Sequence, residues 1–315
     1  VMDVNLEINL ALKEFANGNK DKAYKKLKSI FKKNKTNDLL RFNLAVIEQE
    51  LNLNDEAKFN YRFLIKNNQN LKAMVNLYLI YIKEDNFLPA LDLINHIVKI
   101  NNQLENVLKD KAFVLYKLKM HDESIKICKK YLLKRNDEIF LNILSLNYFA
   151  KNNIVEAKKI LKKGLLKDKD NPILLNSLGR IYHESRDSKN AKKYLSKAYY
   201  IKRDSYEIIN NLAGFYREEG DYDKAFTLYN EALKINPNNP SLINNLAKVY
   251  FDIDNISLAK KYCLKALQLN KNDGNIKKIL SLIYFKEHNF IDAWTFFDGR
   301  LNLSDFVEKN SSINK

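Results

Sequence analysis

Residues 206–239 read YEIINNLAGFYREEGDYDKAFTLYNEALKINPNN. Numbered from 1 within this stretch, positions 4, 7, 8 and 11 (Ile209, Leu212, Ala213, Tyr216) share one helical face, and positions 20, 24, 27 and 28 (Ala225, Tyr229, Ala232, Leu233) share another. Glu219-Gly220-Asp221 between them reads as a tight turn, and Pro237 and Pro240 punctuate the way out. Small residues at positions 8 and 20 let the two axes come close. The stretch is therefore a pair of amphipathic helices with no competing strand pattern.

The pair is repeated along the whole chain. Ala225 has counterparts at Ala23, Ala57, Ala90, Ser124, Ala157, Ala191, Ala259 and Ala293, a period near 34 residues. Aligned on them, residues 4–307 divide into nine repeats: 4–37, 38–70, 71–104, 105–137, 138–171, 172–205, 206–239, 240–273 and 274–307, followed by a polar tail at 308–315. Leucine holds position 7 in every repeat but the fourth, where Lys111 stands in a core place and predicts looser packing. A fixed period of this length predicts an all-α solenoid, each pair burying its apolar faces against its neighbours. Seven Gly and four Pro in 315 residues leave little room for linkers, so one continuous array is expected.

Composition narrows the functions open to it. The four histidines fall in different repeats without metal-ligand spacing, no glycine-rich phosphate loop is present, and the acidic residues lie in turns and on solvent faces. No catalytic group, cofactor or metal is expected. Cys128 and Cys263 share one buried repeat position four repeats apart, too far for a disulfide, and read as free core thiols of a reducing compartment. Without a leader-like start or a long enough apolar run for a membrane span, a cytoplasmic protein is expected; Val1 in place of Met allows a processed form or a fragment. The net charge of +16 is concentrated in lysine doublets on second helices: Lys129-Lys130, Lys158-Lys159, Lys162-Lys163, Lys192-Lys193 and Lys260-Lys261. Their plainest role is solubility. They lack the exposed aromatics that a single-strand nucleic-acid surface interleaves, which disfavours nucleic acid as a partner.

Asn211-Leu-Ala-Gly-Phe-Tyr216, Gly220-Asp-Tyr222, Ala225, Tyr229, Ala232-Leu233 and Pro237 resemble the tetratricopeptide repeat almost position for position. The resemblance covers residues 4–307 and is strongest over 138–273; it weakens where Glu14 and Glu48 replace the usual aromatic. It implies a right-handed superhelix of nine helix-turn-helix repeats whose first helices line a concave groove for a protein or peptide ligand. The second helices, with their lysines, would form the convex side.

The groove face of each first helix comprises positions 2, 6, 9 and 13, flanked by 5 and 12. Asparagine stands at position 5 or 6 in seven of the nine repeats: Asn9, Asn43, Asn76, Asn142, Asn176, Asn210 with Asn211, and Asn244 with Asn245. Asparagine is a mediocre helix former, so its recurrence inside helices calls for a reason. An amide that both donates and accepts can pair with a peptide backbone whatever its side chains. The pattern is similar to the asparagine ladder of O-GlcNAc transferase solenoids. Arg180, His183, Arg217, Lys248 and Phe251 complete the expected site, with Glu184, Glu218 and Asp252 making the later groove mixed in charge. In the first five repeats Leu12, Phe15, Val46, Val75, Leu79, Ile82, Phe113, Tyr116, Leu146 and Phe149 predict an apolar groove that a partner segment would cover.

The leading expectation is a non-enzymatic scaffold that binds an extended peptide or a helix. A rival expectation is the recognition arm of an enzyme. Asp292-Ala-Trp294-Thr-Phe-Phe297-Asp-Gly-Arg300 resembles the closing repeat of bacterial arrays that precede glycosyltransferase-type or sulfotransferase-type domains, and residues 304–315 are too short and polar for a full capping helix. A C-terminal domain or partner would then cover the uncapped last repeat. Nucleic-acid binding through the lysines ranks third.

Overall fold

The computed structural model describes residues 4–101, 104–133, 137–271 and 273–298; Arg300 and residues 304–315 lie outside them. Among the described residues there are eighteen α-helices and no strand, an all-α helical repeat solenoid. The chain falls into two compact units, Val1–Asn153 and Ile154–Lys315. The first holds α1 (Val4–Ala16), α2 (Lys20–Lys33), α3 (Asp38–Glu50), α4 (Asn54–Asn68), α5 (Leu71–Lys83), α6 (Phe87–Ile100), α7 (Glu105–Lys117), α8 (His121–Leu132) and α9 (Glu138–Ala150). The second holds α10 (Ile154–Lys167), α11 (Pro172–Glu184), α12 (Ser188–Ile201), α13 (Tyr206–Glu218), α14 (Tyr222–Ile235), α15 (Pro240–Asp252), α16 (Ile256–Leu269), α17 (Gly274–Lys286) and α18 (Phe290–Asp298).

One turn design closes every first helix. Position 15 of each repeat has positive φ: Gly18 at 85° and Gly220 at 78°, with Asn52, Asp85, Lys119, Asn152, Arg186, Asp254 and His288 between 55° and 63°. The next N–H reaches back to the carbonyl five residues earlier, as from Asp187 to Tyr182 and Asp221 to Tyr216, each at 2.9 Å, and Asn255 to Tyr250 at 2.8 Å. This closure satisfies carbonyls that the helix end leaves free. Asp187, Asp221 and Asn255 then cap the following helix through their side chains. One short turn thus ends one helix and starts the next. Several first helices begin on an Asn cap, among them Asn37, Asn70, Asn171 and Asn239, so part of the asparagine abundance serves capping.

Beyond the first pair, the two helices of a pair are buried unequally. In α11 Leu174, Leu175, Ser177, Leu178, Gly179, Ile181 and Tyr182 are buried, whereas α12 buries only Ala191, Leu195 and Ala198. α11 touches α10, α12 and α13, while α12 touches α11 and α13. Being enclosed, a first helix buries positions 3 and 10 as well, seen in Ile208 with Phe215 and Leu242 with Val249. The apolar face is wider than the sequence pattern predicts. Close approach is sharpest at Gly179, where an added Cβ would lie 2.7 Å from Leu195 Cγ and 2.9 Å from its backbone nitrogen.

Deviations from the repeat pattern are absorbed locally in the N-terminal unit. Lys111 is only half-buried, while Val107, Leu108, Ala112, Val114 and Leu115 fill the core of α7, so the expected loosening is not evident in its burial. Ser124, in the alanine place, donates to the Ala112 carbonyl at 2.7 Å and accepts from Asn147 at 2.8 Å. Glu48, in an aromatic place, is reached by Asn60 Nδ2 at 2.8 Å, and Arg41 donates to the Asn60 oxygen at 3.0 Å. Burial pushes the Glu48 carboxyl above its ordinary range. The Arg41 guanidinium lies over Phe63 at 3.7 Å.

Candidate functional site

In the C-terminal unit α11, α13 and α15 set their position-5 and position-6 side chains side by side. Asn211 Nδ2 donates to Asn176 Oδ1 at 3.0 Å, and Asn245 Nδ2 donates to Asn210 Oδ1 at 2.8 Å. The rule is that a position-6 asparagine donates to the position-5 asparagine one repeat earlier. Each rung uses one donor hydrogen and one acceptor lone pair, and an amide has two of each. The rungs hold the amides in a row and leave them capacity for a further partner.

The same rule corrects the expectation for Asn244. The last repeat has Ile279 where a donor amide would stand, and Asn244 is instead 3% exposed, accepting from Cys263 Sγ at 3.6 Å. It belongs to the core, not to the groove.

Beside the rungs lies a cavity of about 300 Å³ lined by Arg180, His183, Glu184, Asn210, Asn211, Gly214, Arg217, Glu218, Tyr229, Asn245 and Lys248. Gly214 leaves a gap in the wall, where an added Cβ would stand 3.5 Å from the Tyr229 hydroxyl. Arg180 Nε lies 3.3 Å from Glu184, and Arg217 contacts Glu218 at 3.3 Å and Asp252 at 3.5 Å. His183 Nε2 is 3.1 Å from Glu218, and its ring packs edge-on against Phe215. Lys248 Nζ donates to Asn245 Oδ1 at 2.9 Å. Burial, then Arg217, lowers the Lys248 pKa; burial raises that of Asp252 against the pull of Arg217 and Lys248. The distances to the two Nε atoms are ion-pair contacts only, because Arg180 Nε and Arg217 Nε are buried without a hydrogen bond.

The other expected residues are dispersed. Phe251 packs against the core of the last helices and carries Lys286 on its ring at 5.0 Å. In the N-terminal unit Asn43 on α3 and Asn142 on α9 are half-buried, and Asn76 on α5 donates to the Tyr61 hydroxyl at 3.0 Å. Phe42 holds position 5 of the second repeat, so Asn76 has no rung acceptor there. The broad apolar groove expected in this unit is largely filled from within. Val46, Val75, Ile82 and Phe113 pack on its core, Leu12 and Phe15 on that of the first helices, and Leu146 is buried, leaving Leu79 as the exposed member. First helices pack on one another, and that contact consumes the surface.

Among the described residues no three of His, Cys, Asp and Glu converge to hold a metal ion, and no helix is long and apolar enough to cross a membrane. Both cysteines are free and buried. Lys159, Lys163, Lys192, Lys193 and Lys261 are exposed on second helices, whereas Lys158 and Lys260 lie over Tyr182 and Tyr284 at 4.2 and 4.3 Å. Some of the lysine surface therefore serves cation–π packing between repeats.

The family model described as tetratricopeptide repeat matches residues 174–205 and 240–273, and one described as TPR repeat matches 215–254. Over residues 174–205 and 215–273 the chain carries tetratricopeptide repeats. No curated protein matches it in sequence. Among solved structures, it is similar to a thermophilic TPR protein of Thermus thermophilus, at 21% identity and TM-score 0.53 over 58% of this chain and 100% of that one. A tetratricopeptide repeat protein of Parabacteroides merdae gives 13% and 0.53, over 74% and 92%. A chain of the APC/C hetero-tetramer Cut9-Hcn1 gives 16% and 0.54, over 88% and 55%. At these identities the likeness concerns the fold alone. Tetratricopeptide repeats indicate a protein–protein interaction scaffold, and the matched stretches include Asn176, Asn245, Arg180, His183, Arg217 and Lys248 but not Asn210, Asn211 and Gly214 of α13.

Proposed function

We propose that the C-terminal unit binds an extended polypeptide along α11, α13 and α15, its backbone pairing with the amides of Asn176, Asn210, Asn211 and Asn245. The observation that carries this reading is the pair of amide rungs on successive first helices, at 3.0 and 2.8 Å. A helix interior gains nothing from asparagine, and an amide row positioned by its own hydrogen bonds offers donors and acceptors at fixed places without selecting side chains. Arg180, His183, Arg217 and Lys248 beside the row add polar and charge selection, while Phe251, packed on the core of the last helices, lies outside the cavity lining. Asn43, Asn76 and Asn142 offer separate polar contacts within the N-terminal unit, where Leu79 offers an apolar one. The role is scaffolding, with no chemical step assigned to the chain.

The test is hydrogen exchange on the full chain, free and with a peptide selected from a random library. Protection confined to α11, α13 and α15 is expected. Protection confined to the second helices, or none with the peptide bound, overturns the reading.

A further inference from the structure

The cavity beside the rungs is built for more than passage of a backbone. Its wall is open at Gly214, under which lies the hydroxyl of the otherwise buried Tyr229. The homologous hydroxyl in the N-terminal unit, that of Tyr61, is engaged by Gln49 and Asn76, each at 3.0 Å. At Gly214 the chain omits a side chain where a ligand side chain can enter.

Charge decides what kind of side chain. Arg180 and Arg217 stand against Glu184, Glu218 and Asp252. Among the described residues no carboxylate forms an ion pair with Lys248, whose ammonium is held by the Asn245 amide. Asp273 and Asp252 interact with it only at longer range, and burial, then Arg217, disfavours its charge. The buried Nε–H groups of Arg180 and Arg217 also lack acceptors. The cationic groups here keep N–H donors that the chain does not satisfy, and a cation partly shielded from water gains most from an anion that arrives with its own oxygen acceptors.

We infer that this cavity is a specificity pocket that takes the carboxylate side chain of an aspartate or glutamate within the bound polypeptide, seated on Lys248 and entering over Gly214. The inference rests on the proposed groove reading. The residue is internal rather than a chain end because the two rungs continue past the pocket over three successive first helices, α11, α13 and α15, so the backbone runs on beside it. Glu184 and Glu218 in the lining, with Asp252 against Arg217, admit a single negative charge and repel a phosphate dianion.

The test passes a peptide library, blocked at both ends by acetyl and amide groups and randomised at its central positions, over the immobilised full chain. Expected for the wild type is enrichment of Asp and Glu over Asn and Gln at one position, about tenfold or more, as befits one charge-assisted contact. Lys248→Met should erase that preference while other positions keep theirs, Gly214→Leu should block it, and Lys248→Arg should retain it. Circular dichroism melts check that each variant folds; Lys248→Met replaces a half-buried cation with an apolar chain of similar length and should keep the fold. Peptides retained without acidic enrichment, enrichment unchanged in Lys248→Met, or selection only of peptides with a free C-terminal carboxylate would overturn the pocket while leaving the groove. Retention of no peptide by the wild type would overturn the groove reading and the pocket with it.

Discussion

Two glycines on successive first helices should answer the same substitution with different results. At Gly179 an alanine Cβ meets Leu195 at 2.7 Å (Cγ), 2.9 Å (backbone N) and 3.0 Å (Cδ2), whereas at Gly214 it meets only the Tyr229 hydroxyl at 3.5 Å. The Leu195 side chain can rotate, but its backbone nitrogen is fixed in α12, so relief requires α11 and α12 to separate. Overpacking of this kind costs about 1–3 kcal/mol. Both sites gain the same helix-propensity term, about 1 kcal/mol for Gly to Ala, which cancels in the comparison. Gly214→Ala should therefore be neutral or stabilising, and Gly179→Ala should be less stable than Gly214→Ala by about 1–3 kcal/mol. Urea unfolding followed at 222 nm measures the difference. Hydrogen exchange in α11 and α12 shows whether the damage stays local, as nearest-neighbour packing requires. Equal stability of the two variants, or a more stable Gly179→Ala, would refute the close-approach reasoning.

Position 15 gives a second prediction: Arg186 at φ 58° should be improved by Gly, and Gly220 at 78° should lose about 1–2 kcal/mol on replacement by Ala, both read from unfolding midpoints. Burial pushes the Cys128 and Cys263 thiols up to about 12, so iodoacetamide at pH 8 should label them slowly in the folded chain and readily in urea; fast labelling of the folded chain would contradict their burial. Glu48, raised above its ordinary 4.5 by burial, favours folding through its neutral form, a contribution present below that value and lost as pH climbs through the folded pKa. Arg41, Asn60, Lys28 and Glu56 shape that site, and Glu48→Gln should gain stability relative to wild type as pH rises from about 4.5 to 8, checked by thermal melts across that range.

Periodicity made the helix pairs legible, because Ala225 and its counterparts mark the close contact whose geometry Gly179 and Leu195 display. It could not disclose that first helices are enclosed more fully than second ones, since burial of Ile208 and Phe215 depends on neighbouring pairs that a single-helix pattern does not contain. The left-handed turn at position 15 was masked by residues as different as Arg186, Lys119 and His288, which adopt there the conformation that Gly18 and Gly220 advertise. The asparagine row was legible as an excess, but its rungs were not: Asn211 finds Asn176 across one repeat, and only the identity of residue 279 tells that Asn244 has no such partner. The matched spacing of positions 5 and 6 was the signal that could have separated them. Tyr229 and Gly214 went unread as site residues because each has an ordinary structural role, core aromatic and helix interior, until their juxtaposition opens the cavity.

The central claim is that the amide row carries polypeptide binding, and calorimetry of a library-selected peptide tests it most directly. Asn176, Asn210, Asn211 and Asn245 are replaced together by alanine, which favours helix and leaves the packing of α11, α13 and α15 in place. With each lost hydrogen bond costing about 0.5–1.5 kcal/mol, affinity should fall by two orders of magnitude or more while the circular dichroism melt is unchanged or raised. Equal affinity of the folded quadruple variant and the wild type would contradict the account.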